Sequence, residues 1–278
     1  MFRRLIRKLS DVRRYPALAH RPEDKRDLRA LGLWRNRFIN AATASRLTRG
    51  SNLVITPSLT LTCGEPVRIT LGDYGEMDCF DELFLDQIYQ LDDVPFEPDL
   101  VVDCGAFHGY FCALVRGKFP NVRTVCFEPN PEHLPALTSQ LNLLSAPVEI
   151  LTAAVGISEG TARFSGHGMG GALISSTDAA TDIINVQVIN FSKWLKAQAS
   201  TALIWKLDVE GAEMDILPKT LPFLPPRTAL YLETHYEPER CRALLAPWAS
   251  VGFSIREVRR RRMSGCTYIE WFLLRDTS

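Results

Sequence analysis

The sequence predicts an α/β fold built on a mostly parallel sheet with helices on both faces. Three observations carry that reading. Beyond Pro98, short apolar runs alternate with helical patterns across short connections, the signature of parallel strands buried on both sides. Several of those runs end in charged residues beside glycines, where such sheets bind ligands. The last two strand-like segments are joined by too few residues for a crossover helix, so they close the sheet as an antiparallel hairpin.

The elements follow in order. Phe2, Leu5, Ile6, Leu9 and Val12 recur at helical spacing with Arg3, Arg4, Arg7 and Lys8 beside them. Pro16 and Pro22 punctuate, and Lys25 to Leu47 resumes a helical pattern. Leu53–Ile55, Leu59–Leu61 and Val67–Ile69 read as strands, and Asp78–Asp93 as an acidic helix. The core strands are expected at Leu100–Cys104, Val122–Phe127, Val148–Thr152, Leu203–Leu207 and Ala229–Glu233. Helices begin near Tyr110, Pro131, Phe191, Ala212 and Pro238, and the closing hairpin is Gly252–Val258 with Thr267–Leu274. The expected organisation is a basic helical extension over 1–50, a β and helical lead-in over 51–97 packed on the core, and a catalytic domain over 98–278.

Composition bounds the function. The 278 residues carry 32 Lys+Arg and 32 Asp+Glu, a net charge of zero. That zero is an average: residues 1–49 hold 14 basic and 4 acidic side chains, residues 50–100 hold 1 basic and 11 acidic. The simplest account is that the two segments pack together as a cap; failing that, the basic arm is free for an anionic membrane or substrate. A globally basic, sequence-specific nucleic-acid binder is excluded. Seven cysteines without a C-x-x-C pair argue against a disulfide framework or structural zinc and for a reducing compartment. With neither a membrane-length apolar run nor a secretory leader, the expected location is cytoplasmic.

Chemistry concentrates in three places. In Val101-Val102-Asp103-Cys104-Gly105-Ala106-Phe107-His108-Gly109-Tyr110, an apolar strand ends in an acid and two glycines bracket the turn into a helix. This is not the dinucleotide G-x-G-x-x-G: a carboxylate here repels a pyrophosphate and favours a ligand bearing a cation. A second strand ends at Glu128, followed by Pro129-Asn130-Pro131, where α/β folds grip a ribose diol; the plainer reading is a helix-capping acid, a role Asn130 fills equally well. Two acids framing a glycine turn suit S-adenosylmethionine. The third is Lys206-Leu207-Asp208-Val209-Glu210-Gly211-Ala212-Glu213, whose alternate charges Lys206, Asp208 and Glu210 are expected on one face at a strand's carboxyl end. The next strand brings His235 to the same edge. Gly166–Gly171 reads as a lid loop or a connector, and Arg259–Arg262 as a solvated basic turn.

VVDCGAFHGYF, CFEPNPE, AAVG and above all KLDVEGAE resemble the FkbM-type S-adenosylmethionine-dependent methyltransferases, from about Asp78 to about His235. The acidic DELFLDQIYQ also resembles the family's run into its first core strand. The resemblance implies a Rossmann-like seven-stranded sheet and methylation of sugar or secondary-metabolite hydroxyls. It implies a cofactor set of Asp103, Gly105, Ala106, Gly109, Tyr110, Glu128, Asn130, Ala153, Ala154 and Asp208. Within it the methionine end lies at Asp103, Gly105 and Gly109, the ribose at Glu128, and the adenine edge at Ala153–Ala154. This chain departs from the family in having His108 where an asparagine is usual, and in lacking Asp-Asp near Asn190–Ser192.

For a hydroxyl acceptor a base must take the proton as the bond forms. His235 is the first candidate, because imidazole is poised near neutrality; Asp208 and Glu210 are alternatives or orienting groups, and Lys206 completes the catalytic set. No metal is assigned, although Asp208, Glu210 and His235 admit a divalent cation. An N-methyltransferase of a small molecule or peptide is the nearest alternative. A membrane- or anionic-polymer-binding protein with a vestigial cofactor fold is the alternative from another class, and a homo-oligomer is left open.

Overall fold

The computed structural model describes residues 2–48, 54–62, 64–72, 74–165, 172–173, 183–263 and 265–277. They fall into two compact units: residues 1–87, 108–120 and 139–146, and residues 88–107, 121–138 and 147–278. The expected loop at Gly166–Gly171 and residue Leu53 lie outside the described residues.

The first unit contains α1 (Phe2–Ala17), α2 (Asp24–Arg35), α3 (Ala41–Leu47), β1 (Ser58–Leu59), β2 (Val67–Arg68), α4 (Tyr74–Phe80) and α5 (Tyr110–Lys118). Helix α1 does not stop before Pro16 but carries it in its final turn. The acidic stretch is not one helix. It runs from α4 into a π-helical turn, Asp81–Leu85, and after Gln87 at φ 52° into a separate 3₁₀ turn, Leu91–Asp93. The break turns Phe80 and Phe84 inward, with Phe80 stacked on Tyr15 at 5.9 Å.

The opposite charges of the front segments meet inside this unit. Arg35 pairs with Asp78 and, at 3.2 Å, with Asp81; Arg14 pairs with Asp86 at 3.1 Å and donates to the Leu85 carbonyl. The Tyr15 hydroxyl donates to Asp81 at 2.5 Å. Burial pushes the Asp81 carboxyl up, and Tyr15 and Arg35 pull against it. Replacing Arg35 by alanine strands Asp78 and Asp81, and an expected cost of about 1–3 kcal/mol follows. Limited proteolysis should then release fragments from 1–49 faster, and high salt should narrow the difference from the parent protein.

The second unit is organised by a seven-stranded sheet. Its strands in chain order are β3 (Leu100–Cys104), β4 (Arg123–Phe127) and β5 (Glu149–Leu151). After β6 (Ala154–Gly156), β7 (Gly160–Ser165), β8 (Ala172–Leu173) and β9 (Ile183–Asn190) come β10 (Ala202–Leu207), β11 (Arg227–Thr234), β12 (Ser254–Met263) and β13 (Cys266–Asp276). The order across the sheet is β12-β13-β11-β10-β3-β4-β5, all parallel except β13, which is antiparallel to both neighbours. Helix α6 (Leu134–Leu141) follows β4; α7 (Phe191–Ala197), α8 (Glu213–Thr220) and α9 (Pro238–Ser250) follow later strands.

Strand alternation builds the core. Leu100, Val102, Cys104, Leu203, Trp205, Leu207, Leu230 and Leu232 point to one face, where they meet Phe191 and Leu195 of α7, Ile216 and Leu217 of α8 and Leu245 and Trp248 of α9. Burial of such side chains contributes roughly 1.5–3 kcal/mol each. The consequence for function is positional: β3, β4, β5, β10 and β11 all end at one edge, and Asp103, Glu128, Asp208 and Glu233 lie at or just past the ends of β3, β4, β10 and β11.

Two features correct the sequence reading. A second, four-stranded sheet, β6-β9-β7-β8, lies between the third and fourth core strands, where a plain connection was expected. Its inward residues Ala154, Phe164 and Val186 form a small core of their own. Arg259–Arg262 is not a solvated tip but part of strand β12. There Arg259 and Arg261 each reach Glu270 at 2.8 Å, because the hairpin turn falls beyond Met263. Among the described residues no helix is long and apolar enough to cross a membrane.

Candidate active site

The glycine turn leaves β3 at Cys104. Gly105 takes φ 82° and donates its amide to the Phe127 carbonyl at 3.1 Å, with Ala106 N donating to the same oxygen at 3.0 Å. A β-carbon on Gly105 would lie 1.9 Å from the Asp208 carbonyl, so only glycine fits the close approach of the β3 and β10 turns. Phe107, at φ 48°, holds the left-handed backbone that a bulky residue avoids, its ring edge-on to His133 at 4.8 Å.

Glu128 fixes that strained turn. One carboxylate oxygen accepts from Phe107 N at 2.8 Å, the other from Asn130 N at 2.9 Å with His133 Nδ1 3.3 Å away. Asn130 Oδ1 accepts from Glu132 N within the turn before α6, which begins at Leu134 rather than near Pro131, and Glu128 ties two turns together. Glu128 Oε2 retains a lone pair for a further donor such as a ribose hydroxyl.

Lys206 sits opposite Asp103 in the register of β10 and β3 and is buried. Its ammonium is 3.3 Å from Asp103 and 3.8 Å from Asp208, and it donates to the Gly105 carbonyl at 2.7 Å. Burial alone would lower its pKa, but Asp103 and Asp208 outweigh that and hold it above the ordinary lysine range. Lys206 therefore stays charged and tied to the turn; it is a positioning residue rather than a proton carrier.

The acidic end of the site gathers on the next turn. Asp208 lies just past β10, and Glu210 follows at φ 55°. The expected strand alternation thus stops at Leu207, and a left-handed turn, not strand parity, swings Glu210 to 3.2 Å from His235 Nε2. Glu213 is wholly buried and accepts from Val209 N and Gly211 N, which is why the DVEGAE turn needs its second glutamate. Glu213 Oε1 also stands 3.3 Å from His235 Nδ1, and Glu233 Oε1 lies 3.5 Å from Nε2. Arg261 pairs with Glu233 at 3.3 Å, and the Tyr268 ring sits edge-on to His235 at 5.2 Å.

These neighbours set the protonation pattern. Burial opposes charge on His235, but Glu213, Asp208 and Glu210 prevail and push it up to about 9. It is imidazolium at neutral pH, not a group balanced near neutrality as the sequence suggests. Burial, reinforced by Asp208, raises Glu210 to about 7. Glu233 rises to about 9 through burial and the nearby Asp208 and Glu270.

The structure thus brings Asp103, Gly105, Lys206 and Asp208 together, and Asp208 with Glu210 and His235. Glu128, Asn130 and Ala106 gather at the β4 end, and Ala153 and Ala154 are buried just past β5. Gly109 and Tyr110 belong to the other compact unit. There Gly109 caps α5 at φ 79°, the Tyr110 hydroxyl donates to the Thr70 carbonyl, and His108 Nδ1 stands 3.1 Å from Glu76. Sequence reasoning placed Glu213 in the charged motif without assigning it a role, and missed Glu233, Arg261 and Tyr268 as site residues. Glu233 was detectable, being two positions before His235 on one strand face; Arg261 and Tyr268 depend on a hairpin register that no local pattern gives.

The family model described as "Methyltransferase FkbM domain" matches residues 103–259. No curated protein matches the chain in sequence. Among solved structures, the chain is similar to precorrin-6y C5,15-methyltransferase from Geobacter metallireducens (12% identity, TM-score 0.39, 66% of this chain and 84% of that one). It is also similar to a ribosomal protein L11 methylase from Lactobacillus delbrueckii subsp. bulgaricus (12% identity, TM-score 0.36, 69% and 79%). A third is the plantazolicin methyltransferase BpumL in complex with SAH (9% identity, TM-score 0.39, 68% and 80%).

Proposed function

The chain belongs to the FkbM methyltransferase family, S-adenosylmethionine-dependent methyltransferases, and from that premise we propose that it is an O-methyltransferase acting on a hydroxyl of a sugar, glycan or secondary metabolite. The observation that carries the proposal is the cluster of carboxylates and imidazole at the carboxyl edge, beside the glycine turn. Asp208 and Glu210 present acceptors for hydroxyl donors, and Glu233, pushed up to about 9, also has a proton to donate. The turn itself suits the cofactor: its cradle admits no β-carbon at Gly105, and Asp103 and Glu128 frame it.

When bound, S-adenosylmethionine supplies an electrophilic methyl group on a sulfonium. The protein's part is to orient and to take a proton. In this reading Gly105 and Ala106 hold the methionine end and Glu128 the ribose, while Asp103, wholly buried against Lys206, locks the turn from behind. Glu210 is the proton acceptor: its carboxylate is more open than His235, with 29% of the side chain exposed against 10%, and His235 steadies it. Proximity supplies the rest, since in-line displacement needs the oxygen held close to the methyl.

The test is a methyl-transfer screen of the full chain against glycans, glycolipids and hydroxylated metabolites, reading a mass gain of one methylene and its position. With an acceptor in hand, Glu210→Gln is expected to lower kcat by about 10²–10⁴-fold while leaving cofactor affinity unchanged. Methyl found on nitrogen, or an unchanged kcat in Glu210→Gln, overturns the reading.

A further inference from the structure

We propose that Asp208, Glu233 and His235 form a divalent-cation site at the acceptor end of the active site. This deepens the methyltransferase reading and rests on it for its role. One ligand atom from each residue lies within 4.8 Å of the others, a spacing that modest side-chain rotations close to the coordination sphere of a small cation. The three come from the ends of adjacent parallel strands, β10 and β11, so the sheet register itself sets their separation.

A second observation is independent of the acidic cluster. The His235 side chain is nine-tenths buried, at 10% exposure, yet neither ring nitrogen makes a hydrogen bond. Its partners are the carboxylates around it, at 3.2–3.5 Å and not aligned for hydrogen bonds, and a cation at Nε2 takes the place of that nitrogen's proton. The two nitrogens have different surroundings. Nδ1 faces Oε1 of Glu213, a carboxylate with no exposed surface that the Val209 and Gly211 amides hold in place. Nε2 faces the carboxylates of Glu210 and Glu233. This is the arrangement of metal-binding histidines, in which one ring N–H is turned to a fixed outer carboxylate and the other nitrogen is aimed at the ion.

The donor set selects the ion. Two carboxylates and one imidazole, without thiolates, suit Mn²⁺ or Mg²⁺. Arg261 pairs with Glu233 at 3.3 Å and holds it at the edge of the site. In this place the cation takes the oxygen of the acceptor hydroxyl and lowers its pKa. The proton passes to Glu210, an oxygen lone pair forms the new bond to the methyl carbon, and the carbon–sulfur bond breaks to leave a neutral thioether. The acceptors chosen are then those offering a second oxygen next to the reacting hydroxyl.

The test uses the full chain, stripped with chelator and titrated with Mn²⁺ alone. Loss of the free-ion electron paramagnetic resonance signal measures binding. The expected result is one Mn²⁺ per chain, with affinity at least about tenfold weaker in Glu233→Gln. Asp208→Asn serves if Glu233→Gln fails to give the parent circular dichroism. Absence of Mn²⁺ binding by the parent protein, or unchanged affinity in the folded variant, overturns the site. S-adenosylhomocysteine titrated into the stripped chain keeps the two readings apart: its binding without Mn²⁺ binding sinks only the metal site. Mn²⁺ binding without it leaves the metal site standing and sinks the methyltransferase reading.

Discussion

Gly105→Ala is expected to abolish cofactor binding, raising Kd for S-adenosylhomocysteine by at least about 100-fold. Two costs add at this position. The backbone sits at φ 82°, where an L side chain loses about 1–2 kcal/mol. The new β-carbon would also lie 1.9 Å from the Asp208 carbonyl, a main-chain atom that no rotamer change can move. Relief requires the β3 and β10 turns to part, which pulls the Gly105 carbonyl from Lys206 and the Gly105 amide from Phe127. The turn that cradles the ligand is then gone even if the sheet survives. Calorimetric titration of the variant checks it, with circular dichroism as the control for folding; an affinity within threefold of the parent would show that the turn does not hold the cofactor.

Lys206→Met is expected to destabilise the protein by about 3–5 kcal/mol, the largest effect on stability in the site. Asp103 has no exposed surface, and the ammonium 3.3 Å away is its counter-charge. Methionine preserves most of the volume, so the loss is electrostatic rather than a cavity. The prediction separates pairing from packing through a double-mutant cycle: Lys206→Met with Asp103→Asn should recover a large part of the loss, because the stranded charge is removed. Urea denaturation of the three variants reads it directly. If the single variant unfolds at the parent midpoint, Lys206 carries no such role; if the double variant is no better than the single, the cost lies in packing.

The fold was largely legible because a parallel sheet writes itself plainly. Leu100–Cys104 is found where expected, and Arg123–Phe127, Ala202–Leu207 and Arg227–Thr234 differ from the expected strands by one or two residues at their ends. Strands buried on both faces must be continuous apolar runs, and their charged ends mark the ligand edge. The four-stranded sheet was not legible, although Ile184, Val186 and Val188 alternate along β9. Its partners are short, and no neighbouring helix marks them as core. The acidic stretch misled because its apolar spacing fits a helix, whereas the chain takes a π-helical turn at Asp81–Leu85 just after Phe80 stacks on Tyr15.

The site divides the same way. Asp103, Gly105, Glu128 and Asp208 stand in motifs whose spacing follows from turn geometry. Arg261 acts through contacts between segments distant in sequence, so its role follows from the strand register; Glu213 closes its own turn on Val209 and Gly211 and meets His235 only in the folded chain. The histidine was placed correctly at the edge, but its charge state depends on three carboxylates that only the folded chain assembles. The partition of charge also acquires a physical form: Arg14 and Arg35 meet Asp78, Asp81 and Asp86 within one compact unit, so part of the basic segment is spent on the acidic one.

The most direct test of the whole account is isothermal titration of the full chain with S-adenosylhomocysteine and, separately, with NAD. An acid before the glycines, a turn closed to any β-carbon and a second acid at Glu128 predict one S-adenosylhomocysteine bound per chain and no heat from NAD. Binding of NAD in place of S-adenosylhomocysteine would contradict the assignment of this site to methyl transfer.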